Sequence, residues 1–417
     1  MTRVAVVGGC RTPFVKAAGV FSSKYFLDLG IHVLAAAVKR SGLDPASIDE
    51  VAFSTVLYDP RLPNFAREMV LRSGLPKTLS AHSISNNCIS GLVAATFISE
   101  AIQSGRIKTG IAGGSESMSR PTLTLDPRAE AFFIRLAKAR SLGDKLKLLA
   151  QFRPKYILPQ APSPKEPSTG LTMGQHCELT AKEFAIAREL QDRIAFLSHQ
   201  NAARAQEAGY FAAEIEALDG QSKDNIIRAD TTLAKLAGLK PVFDRSAQGT
   251  LTAGNSSPLT DGASAVILMA EAEAKRQGKE AMGFIDAIEF AAIDPSDGLL
   301  MAPGLALPRL MERNNLKIAD VDIFEIHEAF GAQVAANLLV WEKGWAKYPS
   351  LKPIGKIPEE KINVNGGSIA IGHPFAATGG RLILSTVNEL RRRKAKTGII
   401  SVCAAGAMAC AMLVRTQ

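Results

Sequence analysis

Apolar and polar positions along the chain follow two periods, which predict strands and helices in succession. The opening MTRVAVVGGCRTPF is a short apolar run ending in glycines and turn residues, typical of a buried strand. Residues 83–105, SISNNCISGLVAATFISEAIQSG, place polar residues ahead of apolar positions at helical spacing. The same succession recurs toward both ends of the chain, so we expect an α/β fold with a mostly parallel, helix-covered sheet.

Two pairs of segments indicate an internal duplication. Residues 41–53 (SGLDPASIDEVAF) resemble residues 314–326 (NNLKIADVDIFEI), and residues 108–118 (KTGIAGGSESM) resemble residues 396–408 (KTGIISVCAAGAM). Chance similarity between such short strings is the alternative. The repeat predicts two βαβ halves that stack into a layered fold.

Sequence of a different character lies between the halves. Residues 121–170 hold nine lysines and arginines against four acidic residues, and residues 159–170 read as a proline-rich linker. Residues 129–152 space apolar residues at helical intervals, and residues 180–209 predict one long helix. This region is expected to be an inserted, mostly helical loop domain. The predicted boundaries are 1–120 with 246–275 for the N-terminal half, 121–245 for the insert and 276–417 for the C-terminal half.

The basic amphipathic segment has two interpretations. Residues 128–155 could lie on an anionic membrane as a peripheral contact. Alternatively, the apolar face packs on the main body and the charges are solvated. The sequence has no run of about 18 apolar residues, so it predicts no spanning helix.

Composition narrows the function classes. An apolar fraction of 47% and a charged fraction of 21% describe a globular protein, and the net charge of +9 suits a polyanionic partner. An aromatic fraction of 6% argues against stacking platforms for nucleic acid. The five cysteines form no C-x-x-C pair, which argues against a zinc site and favours a reducing compartment. Without a secretory signal pattern, the expected location is cytoplasmic, with membrane association left open.

Cys88 lies where polar sequence gives way to a predicted helix. Backbone N–H groups and the dipole at a helix N-terminus favour a thiolate, which is the nucleophilic form of cysteine. They can also stabilise an oxyanion on an attached acyl group. The alternative is a small buried apolar residue, as most free cysteines are.

Three other stretches supply candidate partners for this cysteine. His373 lies in a glycine-rich loop before a helix and can accept a thiol proton near neutral pH. His327 lies where a strand becomes a helix, and Cys403 ends a strand before small residues. Strand ends are where α/β sheets gather their ligand sites, so a shared site is expected.

The ordered strings RTPF, NNCISG, AGGSESMSR, TAGNSSPLTDGA, HEAFGAQ, GGSIAIGHPFAATGGR and CAAGAM resemble the thiolase family of acetyl-CoA acyltransferases. The resemblance spans about residues 3–415 and implies the layered thiolase fold of two duplicated halves. HEAF in place of the more usual NEAF, GHPFAATG and the long basic insert resemble the branch that forms the β-subunit of the trifunctional β-oxidation complex.

The resemblance implies a role for each candidate. Cys88 would take the acyl group, and His373 would accept its proton and then help to stabilise the enolate oxygen. Cys403 would protonate the leaving carbanion and later deprotonate CoA. His327 would position a water or itself donate in a first oxyanion hole, and the N–H groups of Cys88 and Ala405 would form a second.

The resemblance also implies the ligands and partners. CoA would be a substrate contacted by Thr172, Met173, Arg228 and Ser257, with no other cofactor and no metal. No phosphate-binding glycine motif appears in a strand–helix context, so NAD and ATP are not implied. A homodimer or tetramer is expected, together with a subunit that carries hydratase and dehydrogenase activities.

The predicted function is degradative thiolysis of 3-ketoacyl-CoA in fatty-acid β-oxidation. The alternatives are a biosynthetic acetoacetyl-CoA thiolase and a thiolase-like acyl-CoA carrier without turnover. Ala407 and Ala409 stand where the family usually has glycine. Because glycine permits positive φ and close backbone approach, these alanines are expected to affect the loop near Cys403.

Overall fold

The computed structural model describes residues 2–163 and 165–417, so Met1 of the opening segment and Pro164 of the predicted linker lie outside the described residues. The strands are β1 (Val4–Arg11), β2 (Val15–Lys16), β3 (Glu50–Ser54), β4 (Ser80–Ile84), β5 (Thr109–Glu116), β6 (Thr260–Ala270), β7 (Gly283–Ala292), β8 (Ile323–Ile326), β9 (Thr397–Ala404) and β10 (Met408–Arg415). The α-helices are α1 (Phe26–Ser41), α2 (Phe65–Arg72), α3 (Ser90–Gln103), α4 (Pro127–Lys138), α5 (Leu142–Leu149), α6 (Met173–Glu183), α7 (Arg188–Glu207), α8 (Leu233–Ala237), α9 (Glu271–Arg276), α10 (Pro303–Arg313), α11 (Gly331–Lys343), α12 (Ser368–Ile371) and α13 (Thr378–Arg393).

The strands form one mixed sheet in the order β4-β3-β5-β6-β1-β7-β10-β9-β8, with β2 paired to β6 beside this path. β3 runs parallel to β4 and β5, and β8 runs parallel to β9. The other pairs are antiparallel, including the pair of β1 with β7 that joins the two halves.

The order of strands shows the duplication directly. In one half β1 is followed outward by β6, β5 and β3, and in the other half β7 is followed outward by β10, β9 and β8. The place that corresponds to β4 is occupied by Ile362, which makes a parallel bridge to Phe324 of β8. The predicted α/β class with duplicated halves is confirmed. The expected mostly parallel sheet is wrong, because six of the nine strand pairs among the described residues are antiparallel. The halves meet strand to strand through β1 and β7.

Helices cover the sheet in layers. The helices α3 and α13 pack on each other and on strands of both halves, in a core cluster that includes Leu92, Leu382 and Val402. The helices α1 and α2 cover the outer face of the first half, and α10 and α11 cover that of the second. The strands are buried because both of their faces are covered by helices.

The insert leaves the sheet after β5 and returns at β6. The single helix predicted over residues 180–209 is two helices, α6 and α7, because Ala185 between them adopts a left-handed conformation with φ of 50°. Residues 129–152 likewise divide into α4 and α5, where the Ser141 side chain accepts a hydrogen bond from the backbone N–H of Asp144. The exact domain limits stay predictions.

A buried ion cluster fastens the insert to β1. The Arg11 guanidinium donates to both Asp224 oxygens at 2.7 and 2.9 Å and to Glu214 at 2.9 Å, and all three side chains are buried. Paired carboxylates compensate the desolvation of the cation.

Among the helices of the described residues, none is both long enough and apolar enough to cross a bilayer.

Candidate active site

Three loops far apart in the sequence meet at one point of the fold. Cys88 precedes α3, His327 follows β8 and His373 precedes α13. The Cys88 sulfur and one ring nitrogen from each histidine lie within 4.8 Å of one another. The two imidazole centroids are 4.1 Å apart. The structure therefore brings together three of the four predicted catalytic side chains in direct reach.

The two histidines are oriented in the same way. The Nδ1 atom of His373 lies 2.6 Å from the Thr378 hydroxyl, and that of His327 lies 2.8 Å from the Ser368 hydroxyl. Both Nε2 atoms are buried and have no hydrogen-bond partner among the described residues. Each ring is thus held through Nδ1, and its Nε2 remains available to a reacting group.

Burial sets the charge of both rings. Burial, together with a smaller contribution from the nearby Arg381 guanidinium, lowers the pKa of His373 to about 3. Burial also lowers the pKa of His327, together with His373 and Arg381. The lowered pKa values make the neutral form of both imidazoles the favoured one near pH 7, so His373 has a ring nitrogen that can accept a proton.

The sequence predicted a Cys88 thiolate, and the structure corrects this. Burial raises the pKa of Cys88 to about 12, although the N–H groups of Ala405 and of Cys88 itself lower it. Cys88 lies two residues before the first residue of α3. Desolvation outweighs the helix terminus here, so the resting residue is a thiol that needs a base to become nucleophilic.

Cys403 lies at the end of β9, opposite Ala409 of β10. It is buried, and burial raises the pKa of its thiol, with smaller contributions from the neighbouring Cys88 and Cys177. A protonated thiol next to Cys88 is suited to giving a proton to a carbanion.

The turn after Cys403 faces Cys88. The amide of Asn87 donates to the Ala405 carbonyl at 3.0 Å, and Asn87 itself has φ of 48°. The backbone N–H groups of Ala405 and of Cys88 itself lower the pKa of the Cys88 thiol. An oxyanion hole needs donors at the acyl oxygen rather than at the sulfur, so the second oxyanion hole formed by these two N–H groups stays a prediction.

Several residues that position this cluster escaped the sequence analysis. Glu116 is buried and accepts hydrogen bonds from the backbone of Val56, Leu57 and Ala376, the last in the loop of His373. Arg381 donates to the Ser368 hydroxyl at 3.2 Å. The strings AGGSESMSR and GGSIAIGHPFAATGGR contain Glu116, Ser368, Thr378 and Arg381. Their presence in these two motifs is the sequence signal that could have identified them as positioning residues.

The four residues expected to contact CoA have varied settings. The Thr172 hydroxyl caps α6 by accepting from the Gln175 N–H at 3.2 Å, and Met173 packs on the core of the second half. Ser257 is partly exposed, and its N–H bonds the Ala329 carbonyl at 3.0 Å, two residues from His327. Arg228 is exposed on the insert. All four CoA contacts stay predictions.

The side chains of Cys88, His327 and His373 are also of types that can bind a metal ion. One thiol and two imidazole nitrogens within 4.8 Å are groups that Zn²⁺ accepts as ligands. The high pKa of Cys88 opposes the deprotonation that such binding needs. The metal-free site predicted from the sequence stays a prediction.

Comparison with known families matches two models that together span nearly the whole chain. Residues 4–272 match the thiolase N-terminal domain, and residues 279–416 match the thiolase C-terminal domain.

Individual relatives agree with these models. The chain is 40% identical to the 3-ketoacyl-CoA thiolase of Colwellia psychrerythraea over 424 residues, which cover 100% of this chain and 97% of that protein. It is 41% identical to the 3-ketoacyl-CoA thiolase of Klebsiella pneumoniae over 424 residues, with the same coverage of 100% and 97%. Among solved structures, the acetyl-CoA acetyltransferase of Bacillus anthracis is similar, with a TM-score of 0.83, 31% identity and coverage of 100% of this chain and 99% of that one.

Proposed function

The chain belongs to the thiolase family, and from this premise we propose that it cleaves 3-ketoacyl-CoA with CoA to acetyl-CoA and an acyl-CoA two carbons shorter. The observation that carries the proposal is the convergence of the Cys88 sulfur with one ring nitrogen each of His327 and His373, whose Nε2 atoms have no hydrogen-bond partner among the described residues. A thiol beside a neutral imidazole is the pair that covalent acyl transfer needs.

In the first step, Cys88 attacks the C3 carbonyl of the substrate while His373 accepts the thiol proton. The C2–C3 bond then breaks, the acyl group remains on the Cys88 sulfur, and the electron pair passes to C2 of the departing acetyl-CoA. Cys403 gives its proton to this carbon. The Nε2 atoms of the two histidines face the region where the enolate oxygen develops, and His327 serves this oxyanion directly or through a water.

In the second step, the Cys403 thiolate takes the proton of an incoming CoA thiol. The CoA sulfur attacks the acyl carbon on Cys88, and the N–H groups of Ala405 and Cys88 stabilise the oxyanion. The tetrahedral intermediate then collapses and releases the acyl-CoA. The Cys88 sulfur takes back the proton that His373 accepted in the first step and becomes a thiol again. Two steps replace one difficult carbon–carbon cleavage.

The names of the relatives support the degradative direction. Those at about 40% identity over the full chain are named 3-ketoacyl-CoA thiolases. A biosynthetic thiolase is not favoured by these names. A carrier without turnover is not favoured either, since the chain keeps Cys88, His373 and Cys403.

The test is thiolysis of 3-ketohexadecanoyl-CoA and acetoacetyl-CoA by the purified chain and by Cys88→Ser. We expect the wild type to consume the long substrate in a CoA-dependent reaction and the variant to lose at least about 10³-fold in kcat. Wild-type protein without thiolysis of either substrate, or a variant with undiminished kcat, would contradict the proposal.

A second proposal concerns residues 128–155 of the insert. Of the side chains in α4 and α5, only Ala129 and Phe132 are buried. Large apolar side chains remain exposed beside the lysines and arginines of this segment: Ile134, Leu142, Leu146, Leu149 and Phe152. We propose that this surface binds an anionic membrane, because apolar and basic side chains share one exposed segment.

Vesicle flotation tests this second proposal. Wild-type protein should float with vesicles that contain phosphatidylserine and remain in solution with pure phosphatidylcholine. Replacement of Leu142 and Leu146 by glutamine should abolish flotation, whereas replacement of the exposed Leu233 and Leu239 of another part of the insert should not. Equal flotation of both variants would exclude this segment as the membrane contact.

Assembly and CoA contacts complete the proposed function. A homodimer or tetramer, and association with a hydratase and dehydrogenase subunit, remain predictions that light scattering and co-purification can check. Arg228 is proposed to meet the nucleotide end of CoA and Ser257 the pantetheine arm, with Thr172 and Met173 nearby.

A further inference from the structure

The turn that carries Ala405 is held by side chains from two other parts of the chain. Asn87 donates from its amide to the carbonyl oxygen of Ala405 at 3.0 Å. Glu166 of the insert accepts from the N–H of Gly406 at 2.9 Å. The Ala405 carbonyl and the Gly406 N–H belong to the same peptide unit, so this one peptide plane is fixed at both of its polar ends.

The turn needs such support. Gly406 and Ala407 both have positive φ, 75° and 53°, within the three-residue connection 405–407 between β9 and β10. Alanine is disfavoured in this region by about 1 kcal/mol or more. A strained turn that must present the Ala405 N–H to Cys88 keeps its geometry only if its surroundings hold it.

Glu166 is itself well ordered by its surroundings. It is buried to 8% exposure although the neighbours on both sides are exposed. Its backbone N–H bonds the Leu171 carbonyl at 2.8 Å, its carbonyl accepts from the Gly170 N–H at 2.8 Å, and its other carboxylate oxygen accepts from the Ser168 hydroxyl at 3.3 Å. The carboxylate is thus presented to Gly406 by a closed loop directly before α6.

We infer that Glu166 is a positioning residue for catalysis, which fixes the Ala405–Gly406 peptide and through it the N–H that serves the acyl oxyanion on Cys88. The inference rests on the proposed thiolase reaction. It gives the insert a direct part in the active site, since its carboxylate reaches the β9–β10 turn. A side chain that only stabilised the fold would not affect kcat selectively.

The experiment compares Glu166→Ala, Glu166→Gln and the control Lys165→Ala in steady-state thiolysis and thermal unfolding. Glu166→Ala should lower kcat about 10- to 100-fold with KM for CoA within about threefold, because the loss falls on the transition state. Glutamine keeps an acceptor for Gly406, so Glu166→Gln should return kcat to within about threefold of wild type. Lys165→Ala, at an exposed neighbour, should match wild type.

Each outcome decides the matter. A folded Glu166→Ala variant with wild-type kcat, or a Glu166→Gln variant as impaired as Glu166→Ala, overturns the inference. If Glu166→Ala does not fold, Glu166→Asp keeps the charge but falls short of Gly406 by one methylene, and normal kcat there overturns it equally. Absence of thiolysis in wild-type protein would instead contradict the proposed function.

Discussion

The two halves of the sheet share one topology and differ in what they contribute to the site. Cys88 lies in the loop before α3, and His373 lies in the corresponding loop before α13. Because α3 and α13 pack together, equivalent loops of the repeat meet, and Cys88 and His373 lie close to one another. The duplication therefore supplies the juxtaposition, and the residue at each equivalent position decides the chemistry.

The same comparison applies to β5 and β9. Alignment of KTGIAGGSE with KTGIISVCA sets Ser115 against Cys403, so only the second half carries a thiol there. The connection after β5 is the whole stretch 117–259, whereas the connection after β9 is only 405–407. The long connection reaches back to the short one through Glu166, so the insert of one half contacts the short turn of the other.

The largest expected effect on kcat comes from replacing the two histidines of the second half, His327 and His373. His373→Ala should lower kcat about 10³- to 10⁴-fold, because the Cys88 thiol has a pKa of about 12 and cannot ionise without a base. His327→Ala should lower kcat about 10²- to 10³-fold as an oxyanion donor is lost. His327→Asn, which keeps a donor, should stay within about tenfold of wild type.

Steady-state thiolysis with a matched unfolding measurement checks these values. Equal losses for His327→Ala and His327→Asn would mean that the imidazole acts as more than a donor. A small loss for His373→Ala would place the base elsewhere.

The next largest effect is expected on the free energy of unfolding, at the ion pairs that join the insert to the rest of the protein. Asp224→Ala should lower the free energy of unfolding by about 3–5 kcal/mol, because it leaves the buried Arg11 guanidinium without its bidentate partner. Arg193→Ala removes a bidentate pair with Glu359, which joins the insert to the second half instead of the first, and both side chains are about half exposed. This control should change the free energy of unfolding by no more than about 1 kcal/mol. Similar urea midpoints for the two variants would contradict the difference in burial as the cause.

Much of the fold could be predicted because its signals are local. Apolar runs and helical spacing located β1, β3, β5, β8 and β9, and the repeated strings revealed the halves before any contact was known. The junction of β1 with β7 could not be predicted, since strand pairing across the halves leaves no local pattern. The break at Ala185 was missed because alanine is the strongest helix former and its left-handed conformation is imposed by tertiary packing.

The candidate site shows the same difference between features that have a local sequence signal and features that depend on tertiary packing. Cys88, His327 and His373 were found because each stands at a predicted boundary between strand, loop and helix. Glu166 and Asn87 act on a turn more than 200 positions away, so their spacing carries no information. The predicted thiolate form of Cys88 was wrong. A helix terminus can be recognised from the sequence, whereas desolvation of the sulfur depends on what the fold packs around it.

A smaller effect is expected in the pH dependence of stability. Burial holds the folded pKa of His373 near 3, while the unfolded chain binds this proton near pH 6.5. The unfolded state therefore binds more protons between these values, so the stability contributed by the neutral ring is complete above pH 6.5 and is lost as pH falls toward 3. From pH 6.5 to 5 this one residue should remove about 2 kcal/mol from the free energy of unfolding.

The measurement is the difference between wild type and His373→Asn in urea unfolding at pH 7.5 and pH 5. The difference is needed because burial raises the pKa of Glu325 to about 8, which acts in the opposite direction over this range. The two proteins should diverge on acidification, with wild type losing more. Parallel curves would show that His373 titrates normally and is open to water.

The smallest effects separate the two alanines near the short turn. Ala407 has φ of 53°, so Ala407→Gly should raise the free energy of unfolding by about 0.5 kcal/mol, because relief of the left-handed strain exceeds the loss of one buried methyl. Ala409 is fully buried in β10 opposite Cys403, so Ala409→Gly should lower it by about 1–2 kcal/mol through loss of the methyl and of strand rigidity. Chemical denaturation of the two variants checks the opposite signs. If both substitutions destabilised equally, the turn would not be strained, and the support from Asn87 and Glu166 would be holding an already relaxed peptide.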